Sequence, residues 1–480
     1  MTSDKSVGSG ISEPTPNRLY LAVWRWHFYA GIYVLPFMVM LALTGLVILF
    51  APQIEDVQYR QMMFVSSQGQ MQPHTAQLEA VRRAYPEATL QRFRPTNAPN
   101  RSAQVALEQN GRELTVFVNP YTLAVLGEVD NASRWENIAT SIHGTLLLQK
   151  EVSLPWVGKV NLGDLLIEIA ASLMVLLVVT GLYLWWPRDR RGVYGTLIPR
   201  FSVRGRTFWK DLHSVPMFWV SGAVLFFALS GLAWTGIWGD RYVQAWNTFP
   251  EQMWNDVPKS TQNLESLNRS GEKLVPWNLE NSKLPVSGSM AGKDGIPAGT
   301  PVNLDTVIQY VRDNGVNYGF WVALPQGKEG VWTVSASSMS RDVTDARKDR
   351  TLHIDQYSGK VLADIGWAQY GLGAKAMAAG IALHMGTYGW WSQALNAVFC
   401  LLILLASAAA VAMWWIRRPA GVFRLAAPPM PKNLPLWKAA VAIILVMVVL
   451  FPAAGATLLL VLLLDFLIVQ RIPAIRRALG

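Results

Sequence analysis

Residues 24–51 read WRWHFYAGIYVLPFMVMLALTGLVILFA, and this stretch decides what kind of fold the chain adopts. It belongs to an apolar run from Leu19 to Ala51, which is longer than the roughly 20 residues that a helix needs to cross a bilayer. The run is also too long for the apolar core of a signal peptide, and it has no small-residue cleavage site. We therefore expect a first transmembrane helix over 18–51, preceded by a cytoplasmic tail over 1–17.

The composition also indicates a membrane protein. Of the 480 residues, 51% are hydrophobic and 15% are charged, whereas soluble domains contain about 25% charged residues. A water-soluble enzyme is thereby excluded. The single cysteine, Cys400, excludes an intrachain disulfide, a cysteine-ligated iron–sulfur cluster and covalent c-type haem attachment. The net charge of +10 comes from basic residues beside apolar runs, so we expect no nucleic-acid function.

Further apolar runs predict transmembrane helices at 163–187, 211–238 and 390–417. The last apolar stretch, 436–470, would be roughly 50 Å long as one helix, whereas the hydrocarbon core of a bilayer is about 30 Å thick. Because Pro452 lies near its middle, a hairpin of two short helices is favoured. The sequence therefore predicts six transmembrane helices.

Positive charge sets the predicted orientation, since basic residues concentrate in cytoplasmic segments. These residues are Arg18, Arg25, Arg188, Arg190, Arg191, Arg200, Arg204, Arg206, Lys210, Arg417, Arg418, Arg471, Arg476 and Arg477. We therefore expect the basic loop 188–210, the loop 418–435, the tail 471–480 and both termini in the cytoplasm.

Two long polar segments, 52–162 and 239–389, then face the outside of the membrane. Both contain helix-like and strand-like patterns, which predict two periplasmic α+β domains. An irregular insertion at 240–300 enlarges the second domain.

The chain contains an internal repeat. Trp24-Arg25-Trp26-His27 is echoed, with one extra residue, by Trp209-Lys210-Asp211-Leu212-His213, and each motif precedes a Leu-Thr-Gly or Leu-Ser-Gly at the same spacing from its histidine. His143-Gly144-Thr145 is echoed by His384-Met385-Gly386-Thr387. The predicted fold is a mainly α-helical polytopic membrane protein, built from two copies of one module in parallel orientation plus the added hairpin.

Four of the six histidines occupy matching positions in the two copies: His27, His213, His143 and His384. Ionisable groups at membrane depth usually face a bundle interior with a partner or cofactor, and imidazole is the usual iron ligand of a b-type haem. Because the two axial ligands of a haem lie at one depth, the topology pairs His27 with His213 on the inner side and His143 with His384 on the outer side. The four residues are thus candidate ligands of two haems that form a path for single electrons.

Simpler interpretations also apply to these residues. A histidine at a helix boundary is often only an interfacial residue, and an interfacial aromatic belt is favoured over haem-pocket walls for the nearby tryptophans. These tryptophans are Trp24, Trp26, Trp209, Trp390 and Trp391. Asp465 and Glu168 are candidate proton-relay groups, although a structural or interfacial role is favoured. His74 and His353 are interpreted as surface or fold residues. The basic loop suggests a dock for an anionic electron donor, but topology alone explains its charge.

The pattern resembles the PepSY-associated transmembrane family, iron-regulated membrane proteins that include the ferric-siderophore reductases of bacterial inner membranes. The resemblance covers about residues 18–470. It rests on Trp24-Arg25-Trp26-His27, Leu43-Thr44-Gly45, Pro120-Tyr121-Thr122, His143-Gly144, Thr180-Gly181, Trp185-Trp186 and Tyr357-Ser358-Gly359-Lys360-Val361-Leu362. It implies a di-haem oxidoreductase that passes electrons across the inner membrane to reduce periplasmic ferric iron, often siderophore-bound, with the four histidines at the family's ligand positions. The insertion at 240–300 departs from the pattern and affects any inference about the acceptor.

No flavin- or nicotinamide-binding module follows the last predicted span, so the resemblance implies a separate cytoplasmic reductase or the quinol pool as electron donor. The implied acceptor is a periplasmic ferric chelate, which would release its metal on reduction because ferrous iron suits an oxygen-rich chelator less well. Two other hypotheses are a non-redox membrane protein that binds or regulates a partner through its outer domains, and a transporter of iron, siderophore or haem. The spans lack the polar, discontinuous helices expected around a midplane transport site.

Overall fold

The computed structural model describes residues 18–475 except 149, 156, 189–191, 244–255, 269–272, 420, 422–424, 429–436 and 474. The predicted tail 1–17 lies outside the described residues, as do Arg190, Arg191, Arg476 and Arg477 and parts of the segments 240–300, 418–435 and 471–480. Contacts divide the chain into two compact units. The first unit comprises Met1–Val39, Leu166–Leu232 and Leu402–Gly480, and the second comprises Met40–Leu165 and Ala233–Leu401.

The helices and strands are numbered in chain order. The helices are α1 Arg18–Leu49, α2 Ala51–Gln58, α3 Arg60–Met63, α4 His74–Ala84, α5 Trp135–Thr145, α6 Leu162–Trp185, α7 Arg206–Leu232, α8 Trp238–Tyr242, α9 Leu304–Asp313, α10 Leu372–Met385, α11 Trp390–Arg417, α12 Trp437–Leu450 and α13 Pro452–Leu464. The strands are β1 Thr89–Arg94, β2 Ala103–Gln109, β3 Arg112–Val118, β4 Val125–Asp130, β5 Glu151–Leu154, β6 Gly158–Asn161, β7 Lys259–Asn263, β8 Lys283–Pro285, β9 Trp321–Ala323, β10 Val331–Ala336, β11 Arg350–Asp355 and β12 Val361–Gly366.

Within the described residues, five helical segments are long and apolar enough to cross a membrane: α1, α6, α7, α11 and the run Pro452–Val469. A helix satisfies its backbone hydrogen bonds internally, which is what a segment in hydrocarbon requires. The chain is therefore a polytopic membrane protein. The predicted hairpin over 436–470 corresponds to α12 and α13. Its first helix, α12, has 14 residues and is shorter than the range of about 17–25 residues that usually crosses a bilayer. Six crossings thus stay a prediction.

The chain bends sharply between α12 and α13. Pro452 is the first residue of α13, where its missing N–H and fixed φ suit a helix start. A Cβ atom on Gly455 would contact Val448 Cα. In one continuous helix, by contrast, Val448 and Gly455 would be separated by about 10 Å along the helix axis. The bend lies where the sequence pattern favours a break.

Strands from both polar segments form one eight-stranded antiparallel sheet in the order β12-β11-β10-β9-β1-β2-β3-β4. The first four strands in the chain belong to 52–162, and β9–β12 belong to 239–389. The halves meet where β1 pairs with β9, with Phe93 opposite Val322. The sequence predicts two α+β domains, and in the structure the strands of both segments form a single sheet. Each half covers a sheet edge of the other, and an unpaired edge would otherwise expose backbone hydrogen-bonding groups.

One face of the sheet is covered by α4 and α9. Apolar residues at helical spacing, Leu78 and Val81 on α4 and Val307 and Val311 on α9, share a core with the strand residue Phe93. Both helices are amphipathic, since this spacing places the apolar side chains on one side of the helix.

The opposite face is covered by the described part of the insertion together with α10. Leu264 and Leu279 of the insertion pack in one core with Ala374 and Ala378 of α10 and Ile365 of β12. Because both faces of the sheet are covered, all residues of the inner strand β10 are buried, including the polar residues Thr333 and Ser335. The insertion therefore takes part in holding α10 against the sheet.

Asp349 is buried next to β11, in the contact between the sheet, the insertion and α10. It accepts hydrogen bonds from the Ser338 backbone N–H at 2.7 Å and from the Ser338 hydroxyl at 3.3 Å. Burial raises the pKa of Asp349 to about 7, and the neighbouring carboxylates Asp342 and Asp345 act in the same direction. This acid therefore titrates near neutral pH in the folded protein.

Candidate functional site

His27 on α1 and His213 on α7 form the first histidine pair, within the first compact unit. Their ring centroids lie 6.4 Å apart and their ring planes are inclined by 78°. His27 Nδ1 lies 2.9 Å from the Thr180 hydroxyl on α6, and His213 Nδ1 lies 2.9 Å from the backbone oxygen of Ala406 on α11. The two rings are therefore held by contacts that involve four membrane helices.

His143 on α5 and His384 on α10 form the second pair, within the second compact unit. Their ring centroids lie 6.5 Å apart and their planes are inclined by 82°, which closely repeats the first pair. His143 Nδ1 lies 2.8 Å from the Thr44 hydroxyl on α1. The structure thus brings together the same partners that the predicted topology pairs.

A glycine follows each threonine partner and lies next to the same imidazole. A Cβ atom at Gly181 would lie 3.3 Å from His27 Cε1, and one at Gly45 would lie 3.8 Å from His143 Cε1. The missing side chain at Gly181 lets the His27 ring approach the helix backbone closely, whereas the distance at Gly45 is that of an ordinary van der Waals contact. In the sequence these Thr-Gly pairs contribute to the family resemblance, but they are not among the predicted site residues. The signal was present, because both are polar residues followed by glycine inside an apolar helix.

Both histidines of the second pair lie outside the membrane-spanning helices, and burial lowers their pKa. The pKa of His143 falls to about 4. The pKa of His384 falls to about 3, to which the neighbouring His143 also contributes. At neutral pH both rings are therefore uncharged, the state in which an imidazole binds a metal ion.

The spacing within each pair fits two imidazoles on opposite sides of one metal ion. Imidazole nitrogens bind first-row metals at about 2.0–2.1 Å and lie about 1.1 Å from their ring centroid, so the two centroids would be roughly 6.3 Å apart. The observed separations are 6.4 and 6.5 Å. In the part of the chain that the structure describes, no group of three or more His, Cys, Asp or Glu side chains is placed to hold a metal. Two ligands per site suit a haem, whose own ring supplies the remaining ligands.

The two remaining histidines have contacts within the sheet unit. His353 on β11 is fully buried, and its Nδ1 lies 2.9 Å from the Thr333 hydroxyl on the adjacent strand β10. Burial lowers the pKa of His353 to about 3. His74 begins α4, and its ring packs edge-on against Phe93 with centroids 5.6 Å apart. Both sets of contacts support the fold.

The two acidic candidates have different surroundings. Glu168 is fully buried in α6. Asp465 begins the π-helical turn Asp465–Val469 and accepts a hydrogen bond from the Gln470 amide at 2.9 Å. A proton-relay role for either residue stays a hypothesis.

Described residues of the basic loop 188–210 bind to the chain itself. The Arg200 guanidinium donates to both oxygens of Asp211, at 2.7 and 2.9 Å, and Asp211 lies two residues before His213. The Arg188 guanidinium lies over the rings of Tyr20 and Tyr183, at 4.7 and 4.5 Å from their centroids. These contacts fix the loop against its own helices and offer no specific argument for a donor dock.

The tryptophans near the histidines are partly exposed. Trp390 is 80% exposed and Trp391 is 49% exposed, and the guanidinium groups of Arg206 and Arg417 lie over the Trp24 ring at 5.6 and 5.3 Å. Exposed tryptophans at helix ends are typical of a membrane interface, and the arginine contacts with the Trp24 ring are cation–π interactions.

The membrane helices and the two histidine pairs define a class of protein, namely a multi-pass membrane protein with two paired-imidazole sites. Comparison with known families places the chain more closely. Residues 24–417 match the family described as PepSY-associated TM region. Because this match spans most of the sequence, the chain belongs to that family, and the resemblance stated from its motifs is confirmed. A search of curated proteins finds no match.

Proposed function

We propose that this chain is a di-haem oxidoreductase that carries electrons across a bacterial inner membrane to reduce ferric iron in the periplasm. The observation that supports this proposal is the repeated histidine pair. Two sites have nearly the same ring separation and inclination, and both separations suit a metal held between two imidazoles. The same four histidines match the ligand positions that the family resemblance implies.

His27 with His213, and His143 with His384, would each hold one b-type haem. When bound, a haem accepts and donates single electrons as its iron cycles between the ferric and ferrous states. The chain itself fixes the rings, since Thr180 and Thr44 contact Nδ1 of one histidine in each pair. Contacts of this kind orient metal-binding imidazoles and adjust their basicity.

The proposed orientation places both termini in the cytoplasm and the eight-stranded sheet in the periplasm. The bias of basic residues toward the loop 188–210 and the other predicted cytoplasmic segments supports this orientation. In this arrangement the first histidine pair serves the cytoplasmic side and the second pair serves the periplasmic side.

The proposed electron donor is a quinol or a separate cytoplasmic reductase, and the proposed acceptor is a siderophore-type ferric chelate. Each electron delivered to the acceptor converts one chelated ferric ion to a ferrous ion. The ferrous ion binds oxygen ligands less tightly, so reduction favours its release from the chelator.

Haem quantification and a reduced-minus-oxidised visible spectrum of the purified protein test the cofactor. We expect about two b-type haems per chain, one of which is lost in His27→Ala and His213→Ala and the other in His143→Ala and His384→Ala. His74→Ala is the matched control, since it removes an imidazole from the sheet unit and should leave both haems bound. Protein without haem, after expression with ample haem supply, would refute the proposal.

Electron transfer is tested in vesicles that contain only this protein, with quinol in the membrane and a ferric trihydroxamate chelate on the side of the sheet. A chromophoric ferrous chelator on that side reports the product. We expect ferrous iron to form there with the wild-type protein and not with His27→Ala or His384→Ala. Labelled iron that enters the vesicles without reduction would instead support a transporter.

A further inference from the structure

Thr44 and Thr180 each hold two short polar contacts at one hydroxyl. Thr44 Oγ1 lies 2.7 Å from Met40 O, four residues earlier in α1, and 2.8 Å from His143 Nδ1. Thr180 Oγ1 lies 2.7 Å from Leu176 O, four residues earlier in α6, and 2.9 Å from His27 Nδ1. The same arrangement therefore occurs in each histidine pair.

The chemistry of these groups determines which atom carries each proton. A carbonyl oxygen only accepts hydrogen bonds, and a threonine hydroxyl has one hydrogen to donate. The hydroxyl therefore donates to the helix carbonyl, and its oxygen accepts a hydrogen bond from an N–H at Nδ1 of the histidine. With the proton on Nδ1, the neutral ring keeps an unprotonated Nε2, which is the nitrogen left to bind a metal.

In the second copy of the module, His213 has the same protonation state, but its Nδ1 faces a different hydrogen-bond acceptor. The position five residues before Trp185 is Thr180, whereas the position five residues before Trp414 is Ala409, which has no hydroxyl. His213 Nδ1 instead lies 2.9 Å from the Ala406 carbonyl oxygen. This oxygen cannot donate, so His213 also carries its proton on Nδ1.

We propose that Thr44 and Thr180 are positioning residues, which fix His143 and His27 with the proton on Nδ1 and make Nε2 a stronger ligand. The proposal rests on the proposed haem function of the two pairs. A hydrogen bond donated by Nδ1–H to an acceptor increases the basicity of the ring. A more basic ligand stabilises ferric iron more than ferrous iron, so loss of the threonine oxygen should raise the reduction potential of the haem in that pair.

Redox titration of the purified holoprotein tests this inference, with Thr44→Val and Thr180→Val as variants. Loss of an outer hydrogen bond to a metal ligand typically costs 10–100-fold in affinity. If the ferric state alone loses tenfold, the potential of that haem rises by about 59 mV for one electron. Thr44→Val should shift only the haem that His143→Ala removes, and Thr180→Val only the haem that His27→Ala removes.

Two controls separate positioning from a general effect on helix packing. Thr44→Ser and Thr180→Ser keep the hydroxyl and should keep wild-type potentials. Thr457 provides a matched threonine on α13, since its hydroxyl donates to Ala453 O at 2.8 Å and, among the residues described, is bonded to no imidazole. Thr457→Val should leave both potentials unchanged.

The outcomes distinguish this inference from the proposed function. A wild-type protein without haem would overturn the proposed function. Two haems whose potentials are the same in the valine variants, or are shifted as far by serine as by valine, would overturn the positioning role alone. Where a valine variant does not retain its haem, a haem-affinity titration takes the place of the potential. Recovery of affinity with serine then supports the role, and equal losses with serine and valine overturn it.

Discussion

Replacing Gly181 by alanine should weaken the first histidine site, whereas the same change at Gly45 should leave the second site intact. The added Cβ atom would lie 3.3 Å from His27 Cε1 in the first case and 3.8 Å from His143 Cε1 in the second. The longer distance is an ordinary van der Waals contact. The shorter one forces the His27 ring to shift by a few tenths of an ångström from the position in which it faces His213.

The expected magnitude follows from the cost of adding a methyl group to a tightly packed site. Overpacking of this kind typically costs about 1–3 kcal/mol, which corresponds to a loss of about 5- to 150-fold in the affinity of the site for haem. At Gly45 we expect a change of less than about twofold, because no neighbouring atom has to move.

The assay is the rate of haem transfer from the purified protein to an excess of an apoglobin acceptor. Gly181→Ala is measured in a His384→Ala background, where the first site alone holds haem, and Gly45→Ala in a His213→Ala background, where the second site does. Gly222→Ala on α7 is the control, since a Cβ atom there meets no described atom within 4 Å. Equal transfer rates for Gly181→Ala and Gly222→Ala would refute the reasoning, as would a loss at Gly45 equal to that at Gly181.

Three further predictions concern stability, measured by thermal unfolding of the detergent-solubilised protein. The pKa of Asp349 is about 7 in the folded protein, against an ordinary value of 3.8. Between these two values the folded state retains a proton that the unfolded state has lost, so the stability that protonated Asp349 contributes is fully present below about pH 4 and is lost as the pH rises through 7. Asp349→Asn should therefore stabilise the protein increasingly between pH 4 and 7, by up to about 4 kcal/mol at pH 8; a difference that does not change with pH would contradict this. Phe93→Ala should cost about 3–5 kcal/mol, because Phe93 is fully buried where the two halves of the sheet meet; a cost below 1 kcal/mol would show that this junction adds little. Asp211→Asn should cost about 1.5–3 kcal/mol, because the Asp211 side chain is 1% exposed and loses its charged hydrogen bonds, whereas the Arg200 side chain is 32% exposed and stays solvated. The exposed pair of Glu79 with Arg82 is the control, and Glu79→Gln should change stability by less than about 0.5 kcal/mol; similar losses for the two variants would count against a role for the buried carboxylate.

The membrane helices and the histidine partners were accessible from the sequence for definite physical reasons. A membrane helix must be apolar along its whole length, so runs such as Leu19–Ala51 stand out from the rest of the chain. The repeat then places His27 and His213 at the same depth without any knowledge of the side-chain packing. The depth of a histidine in the membrane follows from its position along a helix, which can be counted in the sequence.

The joined sheet was not accessible in the same way. Strand patterns indicate that β1 and β9 exist, but they do not reveal which strands pair when hundreds of residues separate them. The pairing of Phe93 with Val322 depends on the tertiary contacts of both halves. The sequence of the insertion is irregular for a related reason. Its apolar residues, such as Leu264 and Leu279, follow no helical or strand period, and they are buried because they pack against α10 and the sheet.

The partner of His213 illustrates a further limit. Every residue has a backbone carbonyl, so nothing in the sequence marks the Ala406 oxygen as a hydrogen-bond acceptor. The threonine partners of His27 and His143 leave a mark in the sequence, because each is a hydroxyl-bearing residue followed by glycine inside an apolar helix. Side-chain contacts of the site were therefore open to prediction, and its backbone contact was not.

The pairing of β1 with β9 also bears on how the protein is made. Val322 is synthesised about 230 residues after Phe93, which takes roughly 12–46 s at elongation rates of about 5–20 residues per second. During that interval the first half of the sheet has a free edge at β1, the kind of edge on which chains aggregate. Membrane insertion of α6 and α7 falls within the same interval. During biogenesis the edge of β1 therefore stays unpaired until β9 has been synthesised. A chaperone on the side of the membrane where the sheet folds would increase the yield of folded protein.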